Sequence, residues 1–324
     1  MKIRHLDLSS DPSTAEHDAL GLPPLEAEVV HPGQHPWLRA AMWAAVFLLA
    51  SAMLLVVVQF FINHRLEGAV ALVGETLQSP AFWSAVAVGL LAQTVDGALG
   101  MAYGITSTTF LMAAGSSPLV ATASVHIAEV FTTGVSGISH VRLGNVDKRL
   151  FFRLLVPGFI GAVGGALLVS QVDGALLKPY VSAYLAVMGL YVLSKVFKRI
   201  KIAQKEPRHV GKLALFGGFV DAVGGGGWGP VVTTTLIGSG HNPRTTIGSV
   251  NFAEFFLTLG SAGAFAILVD EGPWATVAGL VLGGFFAAPL AAVLCRRLPT
   301  KVLLALVGSL IAAISLYNLY NALS

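Results

Sequence analysis

The sequence predicts an all-α polytopic membrane protein of two inverted repeats, each a Gly-broken re-entrant helical piece plus three spans, preceded by one accessory transmembrane helix. Three observations predict it. The chain is 55% hydrophobic and only 11% charged over 324 residues, where a soluble domain carries about a quarter charged residues. One stretch, residues 96–136, occurs twice. Lys and Arg fall in short clusters between long apolar runs, the pattern of a polytopic membrane protein.

The repeat organises the rest. The first copy opens Asp96-Gly97-Ala98-Leu99-Gly100-Met101-Ala102-Tyr103-Gly104 and runs through Gly115, Pro118 and Ser124-Val125-His126-Ile127-Ala128-Glu129. The second opens Asp221-Ala222-Val223-Gly224-Gly225-Gly226-Gly227-Trp228-Gly229 and runs through Gly240, Pro243 and Ser249-Val250-Asn251-Phe252-Ala253-Glu254. The offset is 125 throughout (221 − 96 and 254 − 129), and 16 of the 42 positions from Val95 to Ser136 are identical without a gap.

Along the chain, residues 1–39 are polar and carry both charges, which reads as a disordered tail. It has no apolar core behind a basic start and is not expected to be a signal peptide. Residues 40–62 form the accessory span, followed by a mixed loop to Pro80. Repeat 1 (81–197) holds a broken piece at 81–115 and spans after Pro118, at 150–172 and at 179–197. A basic loop (198–212) precedes repeat 2 (213–323), with its broken piece at 213–240 and spans near 243–269, 274–295 and 302–323. Trp43, Trp83 and Trp274 near span ends read as interface anchors. Pro157 and Pro289 are expected to kink their spans.

Orientation follows the basic residues. Arg142, Lys148, Arg149 and Arg153 form one cluster, Lys195 to Lys212 a second, and Arg296, Arg297 and Lys301 a third. All three are expected on the cytoplasmic side, with Arg65 as a mild dissent. The helix of Glu129 then ends inside and that of Glu254 ends outside at Asp270-Glu271. The copies are therefore inverted, which requires each broken piece to enter and leave on one face. Inverted repeats with interrupted helices are the architecture of secondary transporters, and the breaks point to the binding site.

Glycine costs roughly 1 kcal/mol per site inside a helix, so neither break can be smooth helix. Irregular backbone at membrane depth survives where it is buried in protein or lines a cavity. Bare N–H groups at a helix start suit an anion. Gly100, Gly104, Gly225, Gly226, Gly227 and Gly229 are thus candidate substrate-binding positions, with hydroxyls from Thr108, Thr109, Thr233 and Thr234 and walls from Tyr103 and Trp228. The competing reading is that the glycines only permit close helix packing.

Beyond each break a polar stripe runs down one helix face. Thr122, His126, Glu129, Thr133, Ser136 and His140 are spaced 4, 3, 4, 3, 4, and the second copy gives Asn251, Glu254, Thr258 and Ser261 in the same register. A carboxylate at bilayer depth is expensive and functional by default. Glu129, Glu254, Asp96 and Asp221 are therefore candidate proton-coupling residues, and His126 and Asn251 join the substrate-binding set. Four acids look hostile to an anion. The tension resolves if some are protonated when substrate binds, or if the cargo is a cation.

At these residues the sequence resembles the TauE/SafE family, the sulfite-exporter-like transporters also called toluene sulfonate uptake permeases. The resemblance covers about residues 80–322 and rests on the duplicated breaks, on Gly225-Gly226-Gly227-Trp228-Gly229-Pro230, on Pro243 and on Gly248-Ser249-Val250-Asn251-Phe252-Ala253-Glu254. It implies a secondary active transporter of small organosulfur anions (sulfite, or sulfonates such as sulfoacetate), proton-coupled, with alternating access about a mid-membrane site. The long tail and first span, and His126 opposite Asn251, depart from the commonest pattern.

The expected partners are a small anion, protons and the lipid bilayer of the cell (inner) membrane. Oligomeric state is left open, a homodimer included. No nucleic acid, cofactor or metal is expected. The single thiol, Cys295, supports no Cys-based cluster, and no HExxH-like spacing or phosphate-binding loop occurs. The alternative is a cation channel or cation-coupled permease with the buried carboxylates as ligands. An intramembrane enzyme is disfavoured for want of a nucleophile–base signature.

Overall fold

A computed structural model of the chain describes residues 36–63, 66–197, 209–239, 241–268, 274–294 and 300–323. The tail through residue 35, Arg65, the basic loop at 198–208, the acidic turn at 269–273, and Cys295, Arg296 and Arg297 lie outside the described residues. Among the described residues there are helices and turns and no strand. The protein is a multi-pass α-helical membrane protein: among the described residues five helices are long and apolar enough to cross a bilayer.

Helix α1 (Pro36–Asn63) is the accessory span. Only 17% of its most apolar stretch is buried, as expected of a helix that meets lipid on most sides. Next comes α2 (Leu66–Gln78), where a loop was expected. Leu66, Val70, Val73 and Leu77 recur at spacings of 4, 3 and 4, a helical apolar face, and that periodicity outweighs Gly68 and Gly74.

Repeat 1 comprises α3 (Pro80–Leu99), α4 (Tyr103–Ala113), α5 (Pro118–Arg142), α6 (Lys148–Val169) and α7 (Gly174–Ser194). Repeat 2 comprises α8 (Val210–Gly224), a π turn (Gly229–Thr233) running into α9 (Thr234–Gly238), then α10 (Pro243–Leu268), α11 (Trp274–Leu294) and α12 (Thr300–Leu323). Side-chain caps set several starts: Ser117 Oγ accepts from Val120 N–H, Asp147 Oδ1 from Leu150 N–H and Asp173 Oδ1 from Ala175 N–H. The Asp173 cap explains why α7 begins at Gly174 rather than at Pro179.

Each broken piece turns back on itself. Val88 of α3 and Phe110 of α4 line one cavity of about 250 Å³ together with Leu310 and Ile314 of α12. In one continuous helix those two residues would stand roughly 33 Å apart at 1.5 Å per residue. In the second piece a Cβ on Gly217 would lie 2.4 Å from Val232 Cγ2, across the break.

The packing exchanges the repeats. Helix α3 packs along α11, and its counterpart α8 packs along α6. Helix α5 meets α11 while α10 meets α6, and the like pairs α5·α10 and α7·α12 meet each other. The centre is the α5·α10 pair, 72% and 61% buried over their most apolar stretches. These are the two helices that carry the polar stripes.

Glycines let the swapped pairs approach. A Cβ on Gly161 of α6 would sit 2.1 Å from the Leu215 carbonyl oxygen of α8, whereas one on Gly164 meets nothing within 4 Å. Gly161→Ala should therefore lower the thermal midpoint of the purified protein, with an overpacking cost of about 1–3 kcal/mol. Gly164→Ala should leave it unchanged or raise it slightly, because alanine favours the helix by roughly 0.5–1 kcal/mol. Scanning fluorimetry of both variants in detergent checks the contrast.

Candidate functional site

Both breaks are built alike. Helix α3 ends at Gly100 (φ 65°) and α8 ends at Gly225 (φ 68°), both left-handed and both donating their N–H to the carbonyl of the aspartate four residues back, Asp96 or Asp221. A non-glycine residue would be strained in that conformation. The aspartate side chains then reach forward over the break. Asp221 Oδ1 accepts the Trp228 N–H at 2.9 Å, and the Asp96 carboxyl accepts the Tyr103 N–H. Each acid thereby ties the end of one half-helix to the start of the next and satisfies one of the N–H groups left open there.

The breaks cross each other. Thr233 Oγ1 donates to the Gly100 carbonyl at 2.8 Å, and Thr108 Oγ1 donates to the Gly225 carbonyl. These bonds are the same bond with the repeats exchanged, since 233 − 108 = 125 = 225 − 100. The backbones touch because the facing residues lack side chains. A Cβ on Gly104 would lie 2.7 Å from Gly226 Cα and 3.0 Å from Glu129 Oε1, and one on Gly229 would lie 2.5 Å from the Gly100 oxygen. A Cβ on Gly227 would strike the Tyr184 hydroxyl, which donates to the Gly226 carbonyl at 2.7 Å.

Around this crossing stand Asp96, His126, Glu129, Asp221, Asn251 and Glu254, none more than 5% exposed. Among the described residues no Lys or Arg is buried. His126 of α5 reaches into the second break, with Nε2 3.2 Å from Asp221 Oδ2. Its Nδ1 lies 2.8 Å from the Thr122 carbonyl, and the Phe265 ring of α10 stands edge-on to the imidazole at 5.6 Å. Asn251 occupies the equivalent place on α10, with Nδ2 3.4 Å from His140 Nε2. One oxygen each of Asp96, Glu129, Asn251 and Glu254 is buried without a hydrogen-bond partner (Oδ2, Oε2, Oδ1 and Oε2). Unsatisfied buried oxygens are costly; among the described residues Gln93, Thr106, Ser107, Ser182 and Thr246 also have unpartnered buried polar atoms.

Not every residue expected at the site turns toward it. Thr109 Oγ1 bonds the Ile105 carbonyl and approaches Ser315 of α12 at 3.2 Å. Thr234 Oγ1 bonds the Pro230 carbonyl and meets the Tyr191 hydroxyl of α7. Of each Thr-Thr pair only the first member faces the crossing. Tyr103 and Trp228 are fully buried and spend their polar atoms on backbone carbonyls, Tyr103 on Leu280 at 3.3 Å and Trp228 on Val250 at 3.2 Å. They brace the breaks against neighbouring helices. Sequence reading missed Tyr184, an isolated tyrosine in an apolar span with no pattern to flag it. It missed Thr122 as a partner of the other repeat too, although its hydroxyl donates to the Ala222 carbonyl at 2.8 Å.

Comparison with known proteins fits this geometry. Residues 85–318, which contain both breaks and both striped helices, match the family described as sulfite exporter TauE/SafE. The chain belongs to this family. It is also 43% identical over 244 residues to the probable membrane transporter protein YtnM of Bacillus subtilis (strain 168), covering 72% of this chain and 81% of that protein. No solved structure matches the chain. This TauE/SafE member is thus a membrane transport protein, and the matched region begins after α1 and α2, which stand outside the shared core.

The crossing bonds carry a direct expectation. Thr233→Val keeps shape but leaves the buried Gly100 carbonyl unpaired, at a cost of about 1–3 kcal/mol. Thermal unfolding in detergent should show a clear destabilisation for Thr233→Val and a similar one for Thr108→Val.

Proposed function

We propose that this protein is a secondary active transporter of small organosulfur anions, sulfite or a sulfonate, coupled to protons and working by alternating access about the crossing of the two breaks. The observation that carries the reading is the reciprocal crossing itself. Two interrupted helical hairpins, equivalent by an offset of 125 residues, meet at the protein centre amid four acids and a histidine. The exchanged packing of α3·α11 with α8·α6 and the basic clusters support an inverted pair of re-entrant repeats. Two equivalent halves of opposite orientation can offer one site to either side in turn.

The anion is assigned to the helix starts beyond the breaks, at Gly104 and Gly229, with Thr108 and Thr233 as hydroxyl donors once the crossing parts. Thr109 and Thr234 face α12 and α7 and are left out of that role. Glu129 and Glu254 carry the proton function. Both lie mid-helix on the two most buried spans and keep an unpartnered oxygen, which a proton would turn into a donor. Sulfite and sulfonates rest on the family; the anionic class rests on the paired helix starts.

Glu129→Gln and Glu254→Gln should each abolish transport driven by a pH gradient while leaving the fold intact. Uptake of labelled sulfite and of a sulfonate into proteoliposomes, with and without an imposed gradient, measures this. Unchanged pH-driven transport in both variants would remove the proton role. Dependence on sodium in place of pH would favour the cation-coupled reading. A thermal shift of the wild type by sulfite or sulfoacetate, absent with chloride, tests the anion class, since a ligand of the folded state raises its apparent stability.

A further inference from the structure

We infer that the His126–Asp221 contact is the seat of one coupling proton and that it latches the crossing shut from one repeat only. The inference rests on the proton-coupled reading above and assigns the proton to named atoms.

The hydrogen bonds fix the proton count. A carbonyl oxygen only accepts, so Nδ1 of His126, 2.8 Å from the Thr122 carbonyl, carries a hydrogen. The Thr122 hydroxyl, 3.4 Å from the same nitrogen, gives its own hydrogen to the Ala222 carbonyl. On the far side of the ring Nε2 faces Asp221 Oδ2 at 3.2 Å, while the other oxygen of Asp221 is taken by the Trp228 N–H. An imidazole with its hydrogen on Nδ1 and an ionised carboxylate would oppose two lone pairs across that gap. The contact is favourable with one proton between them, as imidazolium–carboxylate or as imidazole–carboxylic acid. Removal of that proton leaves the ring one hydrogen for two acceptors, so either the Asp221 contact or the Thr122 contact turns repulsive.

The groups around the pair are acidic or weakly so. Asp221 interacts with Asp96 at the first break, with Glu129 beside His126 on α5, with Glu254 on α10 and with Tyr184 on α7. From α10 the imidazole meets an uncharged ring, Phe265. Among the described residues no buried Lys or Arg can take over the role of the proton.

The other repeat lacks the latch. Exchange of the repeats maps His126 onto Asn251 and Asp221 onto Asp96. Asp96 accepts the Tyr103 N–H as Asp221 accepts that of Trp228. In place of the imidazole this half carries the Asn251 amide, and Asp96 Oδ2 is buried without a partner. An amide does not titrate; the titratable ring on this side is His140, 3.4 Å from Asn251. Repeat 1 thus grips the break of repeat 2 through a His–Asp pair, and at the equivalent position of repeat 2 an asparagine stands in place of the histidine.

The test is hydrogen exchange of the segment from Asp221 to Gly229 in the full chain in lipid nanodiscs, with rates divided by those of unstructured peptide. If closing the latch takes up one proton, protection falls as pH rises, by about tenfold per pH unit within the titration window. His126→Gln and His126→Asn, two independent variants, should both flatten that slope, and the segment from Asp96 to Gly104 should show no such slope in the wild type. An unchanged slope in a folded His126 variant overturns the assignment, as does an equal slope at the first break. Sulfite counterflow in wild-type proteoliposomes at equal pH decides the anion-transport reading separately. Its absence with the exchange slope intact would sink that reading and leave the latch standing.

Discussion

The constraint on which the rest depends is that two interrupted backbones at the centre of an apolar protein must satisfy one another. A helix that stops at Gly100 or Gly225 leaves carbonyls with no intrahelical donor, and no bulk water reaches that depth. The solution is reciprocal: each break takes a threonine hydroxyl from the other, Thr233 to Gly100 and Thr108 to Gly225. That exchange works only if the backbones come close, which explains Gly104, Gly226 and Gly229 at the contact. The swapped pairing of α3 with α11 and of α8 with α6 follows, because each hairpin is held by the other repeat's second span. Stability and the proposed function therefore draw on one set of contacts. Anything that opens the site breaks the bonds that satisfy the breaks.

Much of this was legible in the sequence because duplication supplies an internal control. A lone Asp-Gly run is weak information, but the same run 125 residues later with the same threonines, proline and glutamate isolates what the architecture needs. The polar stripe of α5 and α10 was legible from periodicity, and the two helices proved to be the most buried spans. Contacts between the copies were not legible. Nothing in Thr108-Thr109 says which hydroxyl turns toward the other repeat, because adjacent helical positions differ by about 100° and the choice depends on where the partner lies. Nor does local pattern give Tyr184, which acts from an apolar span through a single hydroxyl. Helix α2 is a different kind of miss, since its apolar residues recur at helical spacing and its two glycines weighed too heavily against that period.

The carboxyls explain why the site is poised rather than settled. An ionised acid in this setting requires a partner, and the aspartates have one in part: each gives an oxygen to the backbone N–H that starts the next half-helix. Their second oxygens differ. That of Asp221 meets His126, and that of Asp96 meets nothing. Glu129 and Glu254 are likewise left with an open oxygen. Buried carboxyls add little to stability, because apolar residues of similar size would fill the space at lower cost. In the proposed cycle, where their partners would change, the four acids have a use that the stability of the closed state does not supply.

That asymmetry gives the clearest division of labour within the duplicated fold. Features that repeat at the constant offset, the left-handed glycines, the forward-reaching aspartates and the crossing threonines, build the closed centre and hold in both halves. Features that depart from the offset cannot be required by the shared architecture. His126 against Asn251 and Met101-Ala102 against Gly226-Gly227 are such departures at the centre. Ala102 adopts φ 94° without glycine's freedom, so the first break is also the more strained of the two. A machine with two identical halves would present equivalent states to the two sides of a membrane. The differences at the crossing make the two breaks chemically unequal in the few residues where they touch.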